Sequence, residues 1–375
     1  MRWWGAAIGV AFGLGAVALV VERLPPFGGR SDGERKTTID ASPLFQNGKA
    51  QNLIHTSLGL NRHVFGAVKR YFRGGQEPDV TIPTVQPDFS IPPSTELTAT
   101  WLGHSSIALE IDGVRVITDP VLSERASPFS MIGPKRFHPA PVIADRLPHV
   151  DAVLISHDHY DHLDMRTIQT IANQGVRFIV PLGVGAHLET WGVPPNQITE
   201  LEWWDETLVK GIRIVCTPAR HFSGRGLTDR NQTLWASWAI VGDTQRAWFS
   251  GDTGAFPQAT EIGEKLGPFD LTMIEVGAYD KAWEAVHLGP DAAYEMNNRV
   301  RGRVLFPIHW GTFNLAAHRW DQPIVRLISV ARHGEVQLMV PIAGERQKAD
   351  QPSVHDFWAA REQHWKTLNR NTLDE

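Results

Sequence analysis

The octapeptide Ser156-His157-Asp158-His159-Tyr160-Asp161-His162-Leu163 places three imidazoles and two carboxylates within six residues. His157 and His159 stand two apart, so in extended backbone they project to the same side. Asp161 and His162 follow where the chain turns towards a helix. Neutral imidazoles and carboxylates suit Zn²⁺, and a segment of this kind can supply ligands to one ion and to its neighbour. A polar turn that merely caps the next helix needs one such residue, Asp161 or Asp164, not five. The single cysteine, Cys216, excludes an intrachain disulfide and every Cys-rich zinc site, so a metal here must sit on His and carboxylates. Cys216 lies in an apolar run and reads as a packed small hydrophobe.

The cluster alone closes no pair of metal sites. In layered α/β domains ligands gather at the carboxyl ends of strands, and three downstream stretches fit that description. Pro218-Ala219-Arg220-His221 follows the strand-like run 212–217. Gly251-Asp252-Thr253-Gly254 follows 247–250, and Pro307-Ile308-His309-Trp310-Gly311 follows 304–306. Each alone is weak, since a lone His past a strand is usually a surface or core residue, but three in one chain with the His cluster point to one site. His104 and Asp119 end earlier runs. Either could orient a ligand imidazole, or be a core His and a turn-capping Asp.

The elements that must position these side chains read as short apolar runs alternating with helical stretches. Residues 97–102 and 107–111 are expected strands, and Asp112-Gly113 turns the second into 114–118. Further strands are expected at 151–156, 176–180, 237–241 and 271–275, with helices near 165–174 and 290–299. Such alternation over about 250 residues predicts a layered α/β domain with its sheets inside, here spanning 95–345. Residues 24–94, rich in Pro, Gly and polar types, are expected as a linker and wrapping arm. Residues 346–375 are expected as a polar tail with a surface helix near 353–365. Trp3 to Val21 carries no charge and matches the ~20 residues of a membrane helix. It ends in Leu19-Val20-Val21-Glu22, a poor cleavage site, so 1–23 is expected as an uncleaved membrane anchor, with the side of the membrane left open. With 36 Lys+Arg against 41 Asp+Glu and no basic block, nucleic acid is not an expected partner.

These elements, in this order, resemble the metallo-β-lactamase superfamily. The flanking blocks are similar to its branch of N-acylphosphatidylethanolamine-hydrolysing phospholipases D: residues 100–106, 117–128, Gly133-Pro134-Lys135-Arg136, 218–223, 234–238, Gly277-Ala278-Tyr279 and 308–312. The resemblance covers roughly 95–345 and implies an αββα sandwich with the site at one edge of two sheets. It implies two zinc ions, the first on His157, His159 and His221, the second on Asp161, His162 and His309, with Asp252 bridging. Paired zinc ions lower the pKa of a shared water so that hydroxide exists near neutrality, and an electrophilic phosphorus or carbonyl is the expected target. The implied function is a phosphodiesterase of phospholipase D type acting on membrane lipid. The alternatives are a lactonase, another ester or cyclic-phosphate hydrolase, and a non-catalytic envelope protein. The resemblance puts His287 near the substrate as a catalytic or pocket residue, and Tyr279 and Trp283 are expected to line an apolar pocket. The sequence departs from the branch pattern at Ile274-Glu275-Val276-Gly277, where Glu275 is expected to place a charge near the site.

Overall fold

The computed structural model describes residues 22–57, 74–332 and 334–368. The expected anchor at 1–23 therefore lies outside the described residues except for its last two. Among the described residues no helix is long and apolar enough to cross a membrane.

Two seven-stranded sheets form the centre. The first is built from β3 (Thr98–Gly103), β4 (Ser106–Ile111), β5 (Val114–Thr118), β6 (Ala152–Leu154), β7 (Arg177–Pro181), β8 (Ile198–Leu201) and β16 (Arg346–Lys348), in the order β16-β3-β4-β5-β6-β7-β8. The second runs β15 (Gln337–Leu338), β14 (Gly302–Ile308), β13 (Phe269–Glu275), β12 (Arg246–Phe249), β11 (Ser237–Val241), β10 (Ile212–Thr217), β9 (Glu206–Val209). A separate hairpin joins β1 (Phe45–Gln46) to β2 (Lys49–Ala50). The central strands are buried along their whole length. That is why they read as continuous apolar runs rather than as alternations.

One apolar core lies between the sheets. It joins Trp101, Ile107 and Leu109 of the first to Ile214, Trp238 and Trp248 of the second. Helices cover the outer faces. Ile168 and Ile171 of α2 (Met165–Ala172) and Leu188 of α3 (Gly185–Thr190) pack on the first sheet with Val153, Ile155 and Phe178. Ile262 of α4 (Ala259–Leu266), Met296 of α5 (Gly289–Arg299) and Leu327 of α6 (Gln322–Ala331) pack on the second. The architecture is thus the expected αββα sandwich.

The segments at either end of the domain are more structural than their composition suggests. The arm carries α1 (Gly33–Ala41), whose Arg35 pairs with Glu189 at 2.7 Å and Glu200 at 2.6 Å, and it buries Ile39, Ala50 and Ile82. The first sheet continues past residue 345, because β16 pairs antiparallel with β3. Nor is the tail helix α7 (Asp356–Leu368) only a surface element. Its Trp358 is fully buried and donates to the Pro341 carbonyl at 2.9 Å. Trp358 meets Trp310 edge-on at 4.6 Å, Trp310 stacks on Trp101 at 5.1 Å, and the Trp101 indole donates to the His104 carbonyl at 3.0 Å. The tail thereby braces the two loops that carry His104 and His309. Trp358→Ala is expected to lower the free energy of unfolding by about 3–5 kcal/mol, read by urea titration. A loss below about 1 kcal/mol would show that the tail is not part of the folded core.

Candidate metal centre

Seven strand ends or the loops just past them converge on one edge of the sandwich. His104 follows β3, Asp119 follows β5, and the His157–His162 loop follows β6. His221, Asp252 and His309 follow β10, β12 and β14, while Glu275 ends β13. The backbone is strained there. His104, Asp119 and His309 hold φ of 53°, 35° and 64°, a left-handed region that non-glycine residues seldom occupy. Gly251, at φ 54°, turns the chain beneath Asp252, and a Cβ there would stand 2.5 Å from that of Ser156.

Three imidazole nitrogens form one group. His157 Nε2 and His221 Nε2 lie 2.8 Å and 3.3 Å from His159 Nδ1. A second group surrounds Asp161: its Oδ2 lies 3.2 Å from His309 Nε2, 3.5 Å from His162 Nε2 and 3.1 Å from His104 Nε2. The Asp252 carboxylate stands between them. Its Oδ1 is 3.1 Å from His162 Nε2, and its Oδ2 is 3.1 Å from His309 Nε2, 3.8 Å from His221 Nε2 and 3.9 Å from His157 Nε2. Ligands of a tetrahedral zinc with bonds near 2.0–2.1 Å stand roughly 3.3 Å apart, the scale of these spacings. His162 Nε2 and Asp252 Oδ1 are buried and have no hydrogen-bond partner. Two such atoms 3.1 Å apart are spaced as two ligands of one cation.

The charges agree. Burial opposes ionisation of Asp252 and Asp161, yet His162 and the other imidazoles outweigh it and hold both well below the usual carboxylate range. Burial also opposes protonation of His309 and His162. Asp252 and Asp161 overcome it, so His309 is pushed up to about 10 and His162 well above its ordinary value. His157 and His221 are driven well below theirs by burial, to which neighbouring imidazoles add against the opposing charge of Asp252. The two carboxylates are thus ionised and His157 and His221 stay neutral, as ligands of a divalent cation must be, while the protons that the carboxylates hold on His162 and His309 mark where a cation would take their place.

Supporting groups fix the rings. Asp119, fully buried, lies 2.6 Å from His162 Nδ1 and accepts from the Ser156 amide at 2.7 Å and its hydroxyl at 2.5 Å. His221 Nδ1 faces the Val286 carbonyl at 3.0 Å, and Asn52 of the arm clasps the His221 backbone at 2.8 and 3.1 Å. His104, buried and lowered to about 3 by burial and by His309, is neutral and turns its Nε2–H to Asp161. Asp158, between the first two histidines, faces away. It accepts from the Gly224 amide at 2.7 Å and the Thr233 hydroxyl at 2.9 Å, and lies 3.3 Å from His187 Nε2.

A cavity of about 240 Å³ opens over the centre, lined by His159, Asp161, Asp252, His287 and His309 and walled by Phe222, Ala278, Trp283, Val286 and Leu315. One expectation is corrected here. Tyr279 does not line the cavity. Ala278 takes its place, at φ 54°, and the Tyr279 ring stacks on His318 at 4.8 Å. Glu275 does stand beside the site, but it is fully buried and offers no open charge to a substrate. Its Oε2 lies 2.7 Å from His287 Nδ1, and its Oε1 accepts from the Thr253 amide at 2.7 Å and the Leu288 amide at 3.3 Å. Burial, and then Asp252, raise its pKa. Phe222, Val286 and Leu315 went unmarked in the sequence, where single apolar residues beside ligands carry no signal of their own.

Residues 114–310 match the family described as the beta-lactamase superfamily domain. An uncharacterized protein of Mycobacterium tuberculosis is 45% identical over 334 residues, covering 86% of this chain and 89% of that protein. The N-acyl-phosphatidylethanolamine-hydrolyzing phospholipase D 1 of Caenorhabditis elegans is 43% identical over 229 residues, 58% of this chain and 64% of that protein. Among solved structures, the isothiocyanate hydrolase from Delia radicum gut bacteria aligns with a TM-score of 0.54 at 18% identity, over 67% of this chain and 98% of that one, a likeness of fold alone.

The orienting role of Asp119 has a direct test. Asp119→Ala frees the His162 ring and is expected to weaken metal binding by roughly 10–100-fold, measured by competition with a chelator. An affinity equal to the parent's would remove Asp119 from the centre.

Proposed function

We propose a function from one premise: the chain belongs to the β-lactamase superfamily. It is a hydrolase of the metallo-β-lactamase fold, with metal-dependent hydrolases among its relatives. We assign it two zinc ions, the first on His157, His159 and His221, the second on Asp161, His162 and His309, with Asp252 shared. Its reaction is the hydrolysis of a phosphodiester of the N-acylphosphatidylethanolamine type, giving a phosphatidic acid and an N-acylethanolamine. The observation that carries this reading is the position of Asp252, with its oxygens within 3.1–3.9 Å of four imidazoles from both groups, on the floor of an apolar-walled cavity. The similarity to the C. elegans phospholipase supports the substrate class.

Zinc ions so placed supply a water of lowered pKa and draw off charge that develops on the phosphoryl oxygens. The chain does the rest. Phe222, Trp283, Val286 and Leu315 bind apolar substrate next to the reacting group and exclude water. Glu275 holds His287 by Nδ1, and in its imidazolium form the ring turns Nε2–H to the departing alcohol oxygen and gives up that proton, ending neutral with Nδ1–H still held by Glu275. Glu275 can hold that ring steady because two backbone amides fix its other oxygen.

The cavity's size favours a second reading. At about 240 Å³ it is smaller than the ~300–1,000 Å³ of most ligand pockets. It takes the headgroup of a lipid whose chains stay outside, or it takes a small lactone or ester whole. A panel of substrates separates the two. With zinc-loaded protein, phosphatidic acid is expected from N-acylphosphatidylethanolamine. His287→Ala is expected to lower kcat by roughly 10²–10⁴-fold with KM little changed. Turnover of lactones with no release of phosphatidic acid would sink the lipid assignment in favour of the smaller substrate.

A further inference from the structure

The two most exposed large apolar side chains of the described residues are Met131, 85% exposed, and Leu227, 81% exposed. Ile132, at 61%, stands beside the first, and Phe129 and Leu24 are also open to solvent. They come from three separate stretches of chain, yet one short segment, 22–27, links them. At its start Glu22 accepts from the Leu227 amide and the Thr228 hydroxyl. At its end the Phe27 ring meets Phe129 at 6.1 Å and Tyr160 at 6.3 Å. A run of exposed apolar side chains of this kind marks an interaction surface rather than scattered surface residues.

What covers it follows from where the chain goes next. The uncharged run Trp3 to Val21 ends one residue before Glu22. Its 19 residues approach the ~20 needed to cross a bilayer core. Whatever enters a bilayer through that run brings the 22–27 segment to the lipid surface. Leu24, Leu227 and the Phe129–Ile132 loop then stand at the depth where apolar side chains enter the acyl boundary. Arg23 and Arg30 are exposed on the same stretch, cations at the level of lipid phosphates. A partner protein would be expected to meet a patch in which such apolar residues are surrounded by a broad polar rim. Here Leu24 follows a bilayer-length apolar run, Trp3 to Val21, after only Glu22 and Arg23.

The same face reaches the metal loop. Buried Arg225 donates from Nε and Nη2 to the Pro26 carbonyl, at 3.1 and 2.8 Å. Its Nη1 donates to the carbonyls of Asp158 at 2.6 Å and Leu163 at 2.9 Å, which bracket Asp161 and His162. Tyr160, between His159 and Asp161, lies under the Arg225 guanidinium at 4.1 Å. Loop 222–230 carries both Phe222, a wall of the cavity, and Leu227, on the exposed face.

We propose that the face formed by Leu24, Phe129, Met131, Ile132 and Leu227 docks on a lipid bilayer and holds the mouth of the metal cavity at the membrane surface. This deepens the lipid reading above, though the docking rests on the surface and not on the chemistry.

The test uses the full chain reconstituted in vesicles of phosphatidylcholine with a minority of phosphatidylglycerol. Three variants, Met131→Cys, Leu227→Cys and Leu208→Cys, each carry a nitrobenzoxadiazole probe; the native Cys216 is fully buried. Leu208 is a fair control, because it is 61% exposed but sits on β9 opposite Arg213, at the end of β10 away from the centre. Probes at 131 and 227 are expected to be quenched several-fold by doxyl-labelled lipid and shielded from aqueous iodide, with the reverse at 208. Iodide reaching 131 and 227 as freely as 208 would overturn the proposal. So would shielding from both quenchers, which would assign the face to a second copy of the chain, or failure of the protein to sediment with the vesicles. Loss of phosphatidic acid release with the probes still in lipid would strike the proposed reaction and leave the docking standing.

Discussion

The carboxylate of Asp252 is the constraint on which the rest of this molecule turns. It is 3% exposed and lies within salt-bridge distance of five imidazoles, His157, His162, His221, His287 and His309. An isolated buried carboxylate is costly, and partners that leave its lone pairs unmet do not offset the cost. A cation held between the two imidazole groups would satisfy both sides at once. Much of the surrounding fold serves to keep those rings from relaxing away.

That service comes from distant parts of the chain. Asp119 and Ser156 lock one ring, His162, while the Val286 carbonyl and Asn52 of the N-terminal arm hold another, His221, by its ring and its backbone. Glu275 fixes His287 in the same manner, from beneath the cavity. Indole packing carries the C-terminal helix to the His104 and His309 loops through Trp358, Trp310 and Trp101. Left-handed backbone at His104, Asp119 and His309 is tolerated because so many neighbours determine it. Arg225 adds a link of another kind, from the metal loop to the segment that follows the apolar N-terminal run.

Much of this was legible in the sequence, and for physical reasons. Buried strands read as apolar runs, and a polar residue with glycine just past such a run reads as a strand-end site. His221, Asp252 and His309 were found that way. Direction was not legible. Glu275 ends a strand as the ligands do, but spacing says nothing of which way its carboxylate faces, and it faces His287 under the cavity floor. At Gly277-Ala278-Tyr279 the positive φ of Ala278 turns Tyr279 onto His318, a reversal no residue type announces. β16, three polar residues at a sheet edge, carries no periodicity to read, and the short α3 with His187 is equally silent.

The central claim is that Asp252 joins two metal ions in one centre. Anomalous diffraction from crystals of the zinc-loaded protein measures this most directly. The account predicts two peaks about 3.5–4 Å apart, with the Asp252 carboxylate reaching both. A single peak, or two peaks with Asp252 on only one of them, would contradict it.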